Sequence, residues 1–430
     1  MTKPNITYLF YLKIFSLVFL ISCVKNTNES TTNTDIKEPV KEVKSITIQA
    51  EDFLVSNGNV NKEEGKFIST ASDESWITFD VDIPVAGRYK FEINASAQMD
   101  SSTAWMEDYI DNKDGREYNV TGSIPISKNN TFTILSKDGS PLNKGLHKMK
   151  LHLKGKDVKV DWFKFSLMKN HQLTPKKMTQ KTDGKEWKVV WSDEFDGKGM
   201  IDTSKWTFDI GDWGWGNNEL QYYTENRLKN ARQEGGNLII ESHKNDMNSL
   251  WTSARLTTRG KVTFLYGRIE FRAKVPTHRG NWAAGWTLGD DYVDELSWPY
   301  CGEIDILESV GFEIDDETGD GTAHASTHNG AYYFKLGNHQ TGILDVKNMN
   351  KEFHTYAIDW GPESMIATVD GIEYFTYTDD KKPLAWPFGK HQNIILNLAM
   401  GGGWGGAEGM DESMTSQQFI LDYVRVYEKQ

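Results

Sequence analysis

The stretch Gly302-Glu303-Ile304-Asp305-Ile306-Leu307-Glu308 sets three carboxylates among apolar residues that read as a buried strand. Side chains on a strand alternate between its faces, so Glu303 and Asp305 share one face while Glu308, an odd number of residues from Glu303, points to the other. A bulge at Ile306-Leu307 returns Glu308 to the face of the other two acids, and bulges occur where a side chain is re-aimed at a ligand. Burying unpartnered carboxylates is costly, so three on one face point to the lining of a wet, concave cleft.

Glycoside hydrolysis needs such a pair. In its retaining form one carboxylate attacks the anomeric carbon and the other, kept protonated, gives its proton to the leaving oxygen, the two standing roughly 5 to 5.5 Å apart. Fully extended geometry would separate the two Glu backbones by ~16 Å at about 3.3 Å per residue, so the strand must bend and both side chains lean inward. Asp305, flanked by two like charges, is expected to share a proton and to hydrogen-bond Glu303. As a bare pattern the acids compete with a salt-bridged surface strand, and the flanking sequence decides between the readings.

Trp298-Pro299 followed by Gly302 to Glu308 resembles the active-site strand of glycoside hydrolase family 16, in the bulged form of its laminarinase-like members. Trp215-Gly216-Asn217-Asn218-Glu219, Ser253-Ala254-Arg255, Asn281-Trp282-Ala283-Ala284-Gly285-Trp286, Asn397 to Gly406 and Asp422 to Tyr427 match motifs of that family in order, over about Trp187 to Glu428. The resemblance implies an all-β fold, a β-jelly-roll of two curved antiparallel sheets whose concave face holds a polysaccharide. It implies Glu303 as nucleophile, Glu308 as acid/base and Asp305 between them. It also places Asn218, Glu219 and Arg255 in the cleft, and Glu194, Gly236 and Asp422 around a structural calcium.

Twelve of the fifteen Trp follow residue 186, and large flat rings suit pyranose faces; Trp282, Trp286, Trp298 and Trp404 are the cleft candidates, with core packing as the competing role. Ala323-His324-Ala325-Ser326-Thr327-His328 alternates small and polar residues, which sets His324 and His328 on one face beside the acids. A His there could assist proton delivery or bind a sugar hydroxyl, and a metal held by the His pair is the rival reading. Cys301 reads as a small buried residue rather than a nucleophile, since no motif pairs it with a base.

Residues 45–168 show period-2 alternation, as in Trp76 to Ile83 and Met149 to Leu153, and therefore a second, smaller β-sandwich. Ala50-Glu51-Asp52-Phe53, Val85 to Tyr89 and Asp161-Trp162-Phe163-Lys164-Phe165 resemble a family 6 carbohydrate-binding module. That resemblance implies a second structural calcium at Gln49, Glu51 and Asp161, whose oxygens suit such an ion. Trp76, Trp105 and Tyr109 are its candidate sugar contacts, Trp162 reads as core, and Lys159 stands where the family offers an Asn. Residues 169–186, rich in Lys, read as a linker to the catalytic domain at 187–430.

Residues 1–22 carry an apolar stretch too short to span a membrane, and Leu20-Ile21-Ser22-Cys23 resembles a bacterial lipoprotein signal, implying cleavage before Cys23 and lipidation of it. Residues 23–44 are polar and read as a disordered tether, so an exported, lipid-anchored protein of the cell envelope is expected. The net charge of −13 argues against nucleic acid and suits a neutral glycan partner. No organic cofactor is needed for this chemistry, and a monomer is expected. The reading is an endo-acting β-1,3-glucanase of the laminarinase type. The same mechanism on mixed-linkage β-glucan or a marine galactan, and a catalytically silent glycan-binding lipoprotein, stay open.

Overall fold

The computed structural model describes residues 45–108, 118–170, 174–294 and 296–430; Cys23, the tether and Tyr109 lie outside them. Within Val43–Gln430, a single compact unit, the chain builds four sheets that form two β-sandwiches. Strands such as Glu74–Ile83 and Gly145–Lys154 send Ile77, Phe79, Val81, Met149, Leu151 and Leu153 inward against Phe91, Phe163 and Phe165 of the facing sheet. Trp162 is only half-buried and packs beside Lys164 on the outer surface, because Phe163 and Phe165 take the inward positions of Lys159–Asn170. The expectation of a core Trp162 is thus off by one register position.

The larger sandwich is the jelly roll. One sheet carries, as successive neighbours, Val262–Leu265, Gln392–Met400, Asn281–Gly289, Glu303–Val310, Gly321–His328 and Gln340–Val346. The facing sheet contains Ser416–Lys429, Gly267–Lys274 and His354–Trp360, and its Phe271, Tyr356, Ile358 and Val424 close the core against Ile304, Ile306, Leu307 and Leu396.

The segment expected as a linker is tied to the jelly roll. Lys176–Thr179 adds a parallel edge strand to Val262–Leu265, and the Lys185 and Glu186 N–H groups both reach the Gln430 carbonyl. An edge strand needs only one paired side, so a polar, Lys-rich stretch can serve as one.

Candidate active site

The bulge falls where the alternation requires it. Glu303 pairs with His328, Asp305 with Ser326 and Glu308 with His324, with the register shift between Asp305 and Glu308. On the other side Gly285 opposes Leu307 and Trp286 opposes Asp305, which leaves Ile306 as the extra residue. Ile306 and Leu307 both enter the core, and the three acids emerge together on the concave face. Gly285 makes room for this: a Cβ there would stand 2.3 Å from the Phe271 ring.

The acids line a cleft of about 510 Å³ walled by Trp282, Trp286, Trp298 and Trp404. The Trp298 indole N–H donates to Glu303 Oε2 at 2.8 Å and the Trp282 indole N–H to Glu308 Oε1 at 3.1 Å. Ser326 Oγ donates to Asp305 Oδ2 at 2.7 Å and lies 3.5 Å from Glu308 Oε2. Burial and then the neighbouring charges of Asp305 and Glu308 push Glu303 well up, against the Trp298 hydrogen bond. Burial, then Asp305, does the same to Glu308. Burial pushes Asp305 up to about 7, opposed by hydrogen bonds with Ser326 and Glu303. The three therefore titrate as one cluster that holds protons near neutrality.

His328 Nε2 lies 3.4 Å from Asp305 Oδ2, and burial followed by the nearby His339 pulls its pKa down to about 3, so it faces the acids as a neutral ring. His324 sits opposite Glu308 in the backbone register, yet its Nε2 is taken by Glu313 at 2.6 Å, and its ring meets the edge of Trp404. The two histidines are held by different carboxylates and do not form the paired metal site considered from sequence. Glu313 follows the bulged strand in a short 3-10 turn and belongs to none of the motifs above.

Arg255 lies between the rings of Trp215 and Trp286, 4.8 and 4.7 Å from their centroids, with Asp209 3.0 Å away. Trp286 donates to Asn397 Oδ1 at 2.7 Å, so this wall is fixed by stacking and a hydrogen bond. Glu219 lines the cleft, but Asn218 does not: it is exposed, in a left-handed turn residue with φ 59°, and its neighbour Asn217 takes the cleft position. Phe334, Lys335, His339 and Thr341, beyond the motifs, complete the far rim. Cys301 is buried in the turn before the bulged strand, and burial, then Glu303, raises its thiol pKa far from the reactive range.

The two expected calcium sets differ. Arg425 clamps the Glu194 carboxylate through both oxygens and Arg272 donates to Asp422 at 2.6 Å, so both carboxylates already have cationic partners; Gly236 sits in a left-handed turn. In the smaller sandwich Asp161 accepts from Asn94 Nδ2 at 2.9 Å, while Glu51 Oε2 is buried with no partner among the described residues, and Gln49 pairs beside Asp161 in the sheet. A buried orphan carboxylate oxygen fits a cation.

Three carboxyl groups at the floor of an aromatic groove on one sheet of a jelly roll define, as a class, an enzyme that cleaves glycans. Comparison with known proteins narrows the class. The profile for Glycosyl hydrolases family 16 matches residues 212–424. The chain is 45% identical over 249 residues to a "Beta-glucanase" of Rhodothermus marinus, covering 56% of this chain and 85% of that protein. It is 36% identical over 259 residues to a "Glucan endo-1,3-beta-glucosidase" of Cryptopygus antarcticus, covering 56% and 91%. The solved laminarinase from Rhodothermus marinus superposes with a TM-score of 0.53 at 43% identity, over 56% of this chain and 98% of that one. The chain belongs to glycoside hydrolase family 16.

Proposed function

We propose that this protein is a retaining endo-β-1,3-glucanase that cleaves laminarin-type glucan by double displacement. The observation that carries the reading is the bulge that turns Glu303, Asp305 and Glu308 onto one wall of the cleft, with an indole N–H on each glutamate. Glu303, its anion stabilised by Trp298, attacks the anomeric carbon, while Glu308 gives its proton to the departing glycosidic oxygen. Glu308, now ionised, takes a proton from water, whose oxygen displaces Glu303 and restores the anomeric configuration. Asp305 shares its proton with Glu303 and relieves the repulsion that three ionised carboxylates would impose. The curated relatives with β-glucanase names support glucan as the polymer.

Lipid anchoring through Cys23, export to the cell envelope, glycan capture by the smaller sandwich and a calcium at Gln49, Glu51 and Asp161 complete the proposal. They rest on the sequence motifs, with the unpartnered Glu51 oxygen in support of the calcium.

The test is reducing-end release from laminarin, lichenan, agarose and carrageenan by the protein lacking residues 1–23, with Glu303→Gln as blank. Preferential release from laminarin that vanishes in the variant is expected. Release from a galactan alone would keep the mechanism and discard the substrate, and binding without release would leave a glycan-capturing protein.

A further inference from the structure

The loop between Asn281–Gly289 and Glu303–Val310 carries Trp298, the donor to Glu303, and it leans on the smaller sandwich. Asp294 of this loop accepts from the Asn143 N–H at 3.1 Å, and its other oxygen accepts from the Ser297 N–H at 3.0 Å. The Asn143 carbonyl in turn receives His147 Nε2 at 2.8 Å, while His147 Nδ1 meets Asp108 Oδ2 at 2.7 Å. The Tyr118 hydroxyl, also from the smaller sandwich, donates to the Trp298 carbonyl at 3.4 Å.

Asp108, His147 and Asp294 are all buried, and their ligand-type atoms lie within 4.8 Å of one another. Both His147 nitrogens face acceptors, a carboxylate and a carbonyl, so both must donate and the ring is an imidazolium. With both nitrogens engaged by protein acceptors, the ring ties the two buried carboxylates and the Asn143 peptide into one network. The His147 ring at Asp108 Oδ2 is the positive partner that faces this buried carboxylate among the described residues. Burial alone would lower the His147 pKa, but the hydrogen bond and charge of Asp108 outweigh it and the pKa is raised. Burial, then the charge of Asp108, raises that of Asp294.

A second contact fixes the smaller sandwich to the segment next to Trp215 of the cleft wall. Arg88 donates to the Ile210 carbonyl at 2.8 Å, Lys137 pairs with Asp212 at 2.8 Å, and Tyr222 donates to Asp138 at 3.0 Å. Gly122 lies so close to Trp213 that a Cβ would stand 3.1 Å from its Cα. A freely tethered capture module has no need of a buried carboxylate, a part-buried ion pair and several hydrogen bonds against its neighbour.

We infer that the N-terminal sandwich is a working part of the catalytic cleft, and that His147 is a positioning residue which, through Asp108, Asn143 and Asp294, holds Trp298 against Glu303. The inference rests on the glucanase reading above, and it places a determinant of catalysis in a domain that resembles a binding module.

The experiment is the pH profile of kcat/KM on laminarin for the full chain, its His147→Gln and Trp298→Phe variants and the double variant. Trp298 stabilises the Glu303 anion, so withdrawing it raises the Glu303 pKa and moves the acid limb to higher pH. His147→Gln is expected to move that limb in the same direction and to lower kcat/KM by about tenfold, the effect of losing a hydrogen bond to a charged group. The double variant is expected to be no worse than Trp298→Phe alone. An acid limb that stays in place, an unchanged kcat/KM, or losses that multiply in the double variant would overturn the inference. If His147→Gln does not fold, Asp294→Asn takes its place in the same cycle. Failure of the glucanase reading is distinct from any of these, because the unsubstituted protein would then release nothing from laminarin.

Discussion

At the residue scale, the acid cluster is an arrangement of proton affinities. Asp305 is raised to about 7 from an ordinary carboxylate value, so the folded protein holds a proton there that the unfolded chain has already released above about pH 4. Folding stability therefore falls as pH rises between those two values. Asp305→Asn removes the titration and is expected to raise Tm near pH 7 by about 2–4 °C per kcal/mol relieved, with the difference closing at pH 4. Turnover on laminarin should fall strongly in the same variant, since Glu303 loses its proton partner; near-normal turnover would remove Asp305 from the mechanism. Trp298→Phe keeps the aromatic wall and deletes the N–H to Glu303. It is expected to lower kcat by about tenfold and to shift the acid limb of kcat/KM upward, read from laminarin hydrolysis across pH. A fall in affinity alone, with the limb unmoved, would make Trp298 a sugar platform only.

At the element scale, the strand Glu303–Val310 was legible because two constraints meet in it: apolar residues must reach the core, and three acids must not. Only a bulge satisfies both, and its position followed from counting. Asn218, placed in the cleft by resemblance alone, gives way to Asn217, because the left-handed turn at Asn218 leaves its own side chain exposed. His324 was placed correctly in register, but its partner Glu313 comes from a 3-10 turn whose path no periodicity encodes. The neighbouring strand supplies a packing test. Gly285→Ala would drive a methyl into the Phe271 ring, and overpacking of this kind costs about 1–3 kcal/mol. Lower Tm is expected, with reduced kcat because Gly285 opposes the bulge at Leu307. An unshifted Tm would show that the facing sheets yield there.

At the scale of the whole molecule, two β-sandwiches were readable from period-2 patterning, whereas their mutual docking was not, since it depends on Arg88, Asp108, Asn143 and His147, scattered polar residues that local pattern leaves on the surface. The same blindness applies to ions. Resemblance offered two calcium sets, and the surroundings of their side chains separate them: arginines already pair with Glu194 and Asp422, while Glu51 keeps a buried oxygen without a partner among the described residues. A carboxylate left so is destabilising unless a cation meets it, and a ligand that binds only the folded state stabilises it by about 2.7 kcal/mol at a hundredfold excess over Kd. EDTA is therefore expected to lower the Tm of the full chain, calcium to restore it, and Glu51→Gln to abolish both responses. Glu194→Gln should leave the EDTA response intact while weakening the Arg425 contact. A Tm indifferent to EDTA would mean that Glu51 stands uncompensated in the smaller sandwich, and Glu51→Gln should then raise stability rather than lower it.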